Sequence, residues 1–286
     1  MPSRRTLLKS TAAALGGAGL ARLSIAADVS PERKPDMDAL LKRRPLLIAH
    51  RGLPGKAPEN SIPAFEAALK HAPDVIELDY HDSSDRVPIV LHDKTLDRTT
   101  NAVELFGGEK IAVASKTAAE MMRLDSGTWF EPKFAGLKLP TLAEAIDLIC
   151  PRSGLMIERK GGVPEVLVEL IESKQVADRV IVQAFEWEFV AEFRRRMPKV
   201  ATGLLGDGPI DDAKLEEIRK IGPRVVGWKA VDLDQQAIDR VHQAGLLIWA
   251  WTVNEEDRAR ELVSWGLDGL ITNRADVARP WLNSAG

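Results

Sequence analysis

Nine short apolar runs recur along the chain, at Leu46–Ala49, Val75–Tyr80, Val87–Leu91, Leu155–Ile157, Val180–Val182, Ala201–Leu205, Val225–Trp228, Leu246–Ala250 and Gly269–Thr272. Most are separated by amphipathic stretches, and that alternation specifies a parallel sheet with helical crossovers. Nine candidates compete for the eight places of a (β/α)8 barrel. The link from Tyr80 to Val87 is too short for a crossover helix, so either one unit is irregular or one candidate lies outside the barrel. At 286 residues the chain suits one α/β domain of this kind, which commonly takes roughly 250 residues, better than two average ones. A composition that is 45% hydrophobic and 28% charged supplies enough apolar material for a sizeable core.

Helix signals fall between the runs. Thr141-Leu142-Ala143-Glu144 is a capping box after Pro140, with Leu142, Ala145, Ile146 and Ile149 on one face. Asn60-Ser61 precedes a helix carrying Phe65, Ala68 and Leu69. Residues 94–139 are different: long, Gly-containing, with Trp129-Phe130 inside and no strand–helix rhythm. Such a segment beside a strand end reads as an inserted cap.

The amino terminus has another character. Ser3-Arg4-Arg5-Thr6-Leu7-Leu8-Lys9 leads into a small, weakly apolar run and then Ser24-Ile25-Ala26, which resembles a twin-arginine export signal. The expectation is cleavage after Ala26, a linker over residues 27–40, and a domain over 41–286. The partner implied is export machinery, and the location periplasmic or secreted. The run is too short to span a bilayer, so no stable membrane span is expected. Without Arg4, Arg5, Lys9 and Arg22, 35 basic residues face 42 acidic ones. A net-acidic body argues against nucleic-acid binding, and any phosphate it handles should meet local cations. The lone Cys150 excludes an intramolecular disulfide.

Chemistry gathers at the ends of the runs. Glu77 and Asp79 alternate on one strand and so share a face. Two carboxylates turned into a barrel lumen need compensation, which a bound cation provides; a solvated edge or an arginine partner is the other reading of the pair. Glu158 and Lys160 repeat the geometry. If Glu77, Asp79 and Glu158 converge, the all-oxygen site selects Mg, Ca or Mn over Zn. His50 and His92 close two runs beside these acids and can exchange protons near neutral pH. His71, His81 and His242 lack that setting and read as solvated or structural.

The ordered set His50-Arg51-Gly52, Ala57 to Phe65, Glu77-Leu78-Asp79 and His92 to Thr100 resembles the signature of glycerophosphodiester phosphodiesterases. The likeness continues through Leu124 to Phe130, Leu139-Pro140-Thr141-Leu142, Glu158-Arg159-Lys160, Trp251-Thr252-Val253-Asn254 and Gly266-Leu267-Asp268-Gly269. It implies a somewhat distorted (β/α)8 TIM barrel with a cap inserted near Lys94 to Leu139. Glu77, Asp79 and Glu158 would hold one divalent cation, Mg or Ca. His50 and His92 would be the acid–base pair, and Arg51 and Lys160 would contact phosphate. Trp251, with Phe185, would pack against the glycerol end, and Glu59 and Asn60 would hold the first loop or touch substrate. The implied reaction releases sn-glycerol 3-phosphate and an alcohol from a small glycerophosphodiester. A lysophospholipid-directed phosphodiesterase and a non-catalytic glycerophosphodiester-binding protein are the rival readings. Arg159, where an aliphatic residue is usual, should point outward and pair with a helix acid.

Overall fold

The computed structural model describes residues 36–283; the expected signal and most of the expected linker lie outside them. Nine strands follow in chain order: β1 (Leu46–Ala49), β2 (Val75–Asp82), β3 (Pro88–Val90), β4 (Gly154–Arg159), β5 (Val180–Ala184), β6 (Ala201–Gly206), β7 (Val225–Lys229), β8 (Leu247–Trp251) and β9 (Gly269–Thr272). Eight of them, all but β3, pair in parallel in the order β1-β9-β8-β7-β6-β5-β4-β2, and β1–β2 pairing closes the barrel. β3 is the ninth candidate: it pairs antiparallel with β2, with Tyr80 opposite Val90 and Asp82 opposite Pro88. The short Tyr80–Val87 link therefore makes a hairpin outside the barrel.

Side-chain alternation separates two cores. On β2, Ile76, Leu78 and Tyr80 face the helices, whereas Val75 joins an apolar plug inside the barrel with Leu46, Ile48, Met156, Ile181, Val225, Trp249 and Ile271. Each lumen-facing strand thus places an apolar residue low, and β2, β4 and β5 place a polar one, Glu77, Glu158 or Gln183, two residues later. The helical turn Met37–Leu40 closes the bottom, with Met37 and Leu40 buried in this plug. Met37 and Leu40, inside the span expected as linker, are thus part of the barrel's packing.

Both expected helix starts are present. Thr141 and Glu144 form the reciprocal capping box of helix Leu142–Ile149, whose Leu142, Ala145, Ile146 and Ile149 are buried. The Ser61 hydroxyl accepts from Ala64 N–H at the start of helix Ile62–Leu69. The insert of residues 94–139 carries two short helices, Ala102–Phe106 and Ala118–Met121. Leu96, Ala102, Val113, Met121, Leu124 and Leu139 of this insert pack with Ile89 and Leu91 into a small core of their own. The sequence shows no rhythm there because turns hold the segment together: the Asp125 carboxylate accepts N–H bonds from Gly127, Thr128 and Gly136.

Candidate active site

At the C-terminal ends of the barrel strands lies a cavity of about 230 Å³, lined by residues that include His50, Arg51, Glu77, His92, Glu158, Lys160, Gln183, Phe185 and Trp251. This is the end of a parallel barrel where strand termini from distant segments converge. Its lining residues come from the strand ends and the turns after them, none from 94–139.

The acids come from alternate positions on neighbouring strands. Asp79 on β2 lies opposite Glu158 on β4 in the parallel register, and Glu77, Asp79 and Glu158 each bring a carboxylate oxygen within 4.8 Å of the others. All three residues are buried. Glu77 Oε2 accepts the backbone N–H of Arg51 at 2.8 Å, whereas Glu77 Oε1 is buried without a partner. Arg51 Nε lies 3.1 Å from Asp79 Oδ2, and Lys160 Nζ lies 3.4 Å from Asp79 Oδ1 and against the Glu158 carboxylate. Two cations thus face three carboxylates. Burial, with Asp79 and Glu158 adding repulsion, raises the Glu77 carboxyl well above its usual range. Burial and then Asp79 push Glu158 up to about 8 against the opposing pull of Lys160. For Asp79, burial acts upward but is outweighed by Arg51 and Lys160, which hold it low. A buried all-oxygen trio with an orphaned oxygen fits a hard divalent cation, which prefers carboxylates and would relieve the repulsion.

The histidines approach from two other strand ends. His50 Nδ1 is 2.7 Å from Asn273 Oδ1, and His92 Nδ1 is 2.7 Å from Asp93 Oδ1. With an oxygen acceptor on each Nδ1, the Nε2 atoms carry the free lone pairs. Burial, reinforced by Arg51, lowers His50 to about 4, which keeps it neutral at pH 7 with its Nε2 lone pair free. His81, structural as expected, is buried and sits 3.2 Å from the His92 carbonyl oxygen through Nε2. His71 is exposed, and His242 pairs with Asp268 away from the cavity.

The first loop is built to hold Arg51. Gly52 has φ +84°, and a Cβ there would lie 2.7 Å from the Ala64 carbonyl carbon, so only glycine permits the turn that follows. Asn60 donates to Asp79 Oδ2 at 2.8 Å and accepts from Asp79 N–H, while Glu59 binds Arg51 Nη1 at 3.0 Å. Both residues hold the loop. Phe185 and Trp251 meet edge to face at 5.5 Å between centroids, forming one wall. Arg159 points outward as expected, 3.2 Å from Glu186 and over the Phe189 ring.

The structure also brings in residues whose roles were not read from the sequence. Asn273 orients His50, and Gln183, buried on β5 opposite Glu158, lines the cavity. Asn273 directly follows β9, and the ends of barrel strands are where such groups concentrate; that was the available signal.

The model of the Glycerophosphoryl diester phosphodiesterase family matches residues 50–277. The YhdW protein of Bacillus subtilis (strain 168) is 34% identical over 238 residues, covering 80% of this chain and 95% of its own length. A second protein of that strain, named glycerophosphodiester phosphodiesterase, is 33% identical over 261 residues, 82% of this chain and 85% of its own. Among solved structures, an Oleispira antarctica phosphodiesterase in complex with the product sn-glycerol-3-phosphate superposes with a TM-score of 0.77. It is 24% identical and covers 86% of this chain and 99% of its own.

Proposed function

The chain belongs to the glycerophosphoryl diester phosphodiesterase family, and from that premise we propose metal-dependent hydrolysis of glycerophosphodiesters by a two-histidine mechanism. The products are sn-glycerol 3-phosphate and the free alcohol. One observation carries this reading: two histidines, two cations and the carboxylates of Glu77 and Glu158 line a single cavity, with the buried Asp79 carboxylate within 4.8 Å of both acids. Glu77, Asp79 and Glu158 would hold one divalent cation, Mg or Ca, and its chemistry there would be that of a Lewis acid toward phosphate oxygen. Arg51 and Lys160 bind the phosphate oxygens and stabilise the charge that develops on them. One histidine Nε2 takes the proton of the nucleophile, either water or the glycerol 2-hydroxyl whose cyclic phosphate water then opens, and the other gives a proton to the leaving alcohol oxygen as its P–O bond breaks. Trp251 and Phe185 present an apolar wall to the carbon skeleton of the glycerol.

The test is turnover of glycerophosphocholine and glycerophosphoethanolamine after EDTA treatment, with Mg or Ca added back. Activity should vanish on chelation and return with one of the two ions. Absence of turnover with every divalent ion, alongside measurable substrate binding, would favour the non-catalytic reading instead.

Export is part of the proposal and rests on the Arg4-Arg5 pattern. Replacing both arginines by lysine should leave full-length protein in the cytoplasm; unchanged export in a fractionation experiment would refute the twin-arginine route. No helix among the described residues is long and apolar enough to cross a membrane.

A further inference from the structure

One side chain of the insert, Arg98, meets the rim of the active site with an unusual set of partners. Arg98 donates from Nε to Asp93 Oδ2 at 2.6 Å and from Nη2 to Asp93 Oδ1 at 3.0 Å. The same guanidinium donates to both oxygens of Glu59, from Nη2 to Oε1 at 2.7 Å and from Nη1 to Oε2 at 3.2 Å. Neither carboxylate is a bystander. Asp93 Oδ1 is the acceptor for His92 Nδ1, and Glu59 Oε1 is the acceptor for Arg51 Nη1. Arg51 continues to Asp79 through its Nε. The result is an alternation of charge, His92–Asp93–Arg98–Glu59–Arg51–Asp79, in which every contact is within hydrogen-bond distance.

We infer that Arg98 is a positioning residue for the reaction, clamping the Asp93 that orients His92 to the Glu59 that orients Arg51. The inference rests on the catalytic roles proposed above for His92 and Arg51. Three features favour this role over that of an ordinary surface ion pair. An exposed pair usually holds one partner in one geometry and contributes little, whereas Arg98 engages all four oxygens of two carboxylates, a fork geometry that an ammonium cannot reproduce. Both carboxylates are far less exposed than the arginine, 26% and 16% against 44%, so they are fixed on the protein side and offer the guanidinium a preformed seat. Arg98 is also the residue that couples the insert, with its separate small core, to the barrel mouth. Asp93 is held at about 2, first by Arg98, so it stays ionised as the acceptor for His92.

Outer partners of this kind act on rate by aiming the groups that touch substrate, at roughly 10–100-fold per residue where measured at metal sites. Arg98→Ala should lower kcat by roughly that factor while the protein still melts cooperatively. Arg98→Lys should remain closer to the alanine variant than to the parent. In an Asp93→Asn background, Arg98→Ala should lower kcat by clearly less than it does in the parent, because the share carried through His92 is already lost and only the share carried through Glu59 and Arg51 remains. A purely structural role predicts the opposite: independent losses that multiply, or no loss in kcat.

A second readout does not require turnover. In spectra of histidine-labelled protein, with the His92 signal identified by His92→Gln, the Nδ1 proton bonded to Asp93 should be protected from exchange in the parent and exchange freely in Arg98→Ala. Were the parent inactive on every glycerophosphodiester, the functional reading would fall, yet this signal would still decide whether Arg98 orders His92. A protected proton in Arg98→Ala, or losses in kcat that multiply with Asp93→Asn, would overturn the assignment.

Discussion

Turnover of glycerophosphocholine is expected to fall by roughly 10²–10⁴-fold when either His50 or His92 is replaced by alanine, the range for a positioned acid or base. KM should change much less, because the charged groups suited to grip phosphate, Arg51 and Lys160, remain in place. The expectation follows from how each ring is held: Asn273 and Asp93 occupy the two Nδ1 atoms, leaving the two Nε2 atoms for the substrate, and no other imidazole lines the cavity. His71→Ala, at an exposed position, should be indistinguishable from the parent. Activity within threefold of the parent in either catalytic variant, measured by steady-state kinetics with saturating metal, would remove that histidine from the mechanism.

The second large effect concerns stability without metal. A buried Glu158 whose carboxyl sits at about 8 instead of 4.5 binds a proton in the folded state over a pH range where the unfolded chain has lost it. Folding stability therefore falls as pH rises from about 4.5 through 8, and the cost at full ionisation is on the order of 5 kcal/mol. Glu77, also raised by burial, acts in the same direction. Asp79 acts oppositely, since Arg51 and Lys160 hold it low, and its contribution is lost only as the medium becomes strongly acidic. Melting curves of chelated protein should thus show lower stability at pH 8 than at pH 6, and Mg or Ca should restore it by binding only the folded form. Glu158→Gln should raise the stability of chelated protein at pH 8 and abolish the response to metal, together with turnover. A chelated parent protein equally stable at pH 6 and pH 8 would show that the three acids are compensated without a cation.

Much of this site is legible in the sequence, for reasons that differ by residue. Strand alternation alone puts Glu77 and Asp79 on one face, and the apolar runs before His50 and His92 place both at strand ends. The same alternation picks out Glu158 and Lys160, and the likeness to the family then assigned the roles and added Trp251 and Phe185. The capping box at Thr141 and the cap at Ser61 were equally local, and both hold. The ninth apolar run could not be placed from sequence, because an antiparallel hairpin strand and a parallel barrel strand have the same apolar character over three to five residues. The helical turn at Met37–Leu40 was read as linker for a similar reason: four residues show no period, and only the barrel floor beneath makes them core.

Distance along the chain set the other limit. Sequence by itself determined the strand–helix rhythm, the inventory of acids and bases and, through the family's signature, the reaction class, since these depend on side-chain chemistry and short-range period. Tertiary structure alone decided that Asn273 holds His50 across 223 residues and that Arg98 joins two carboxylates that lie 5 and 39 residues away. Hydrogen bonds of that kind have no periodic trace. They exist only once barrel closure brings the strand ends to one rim.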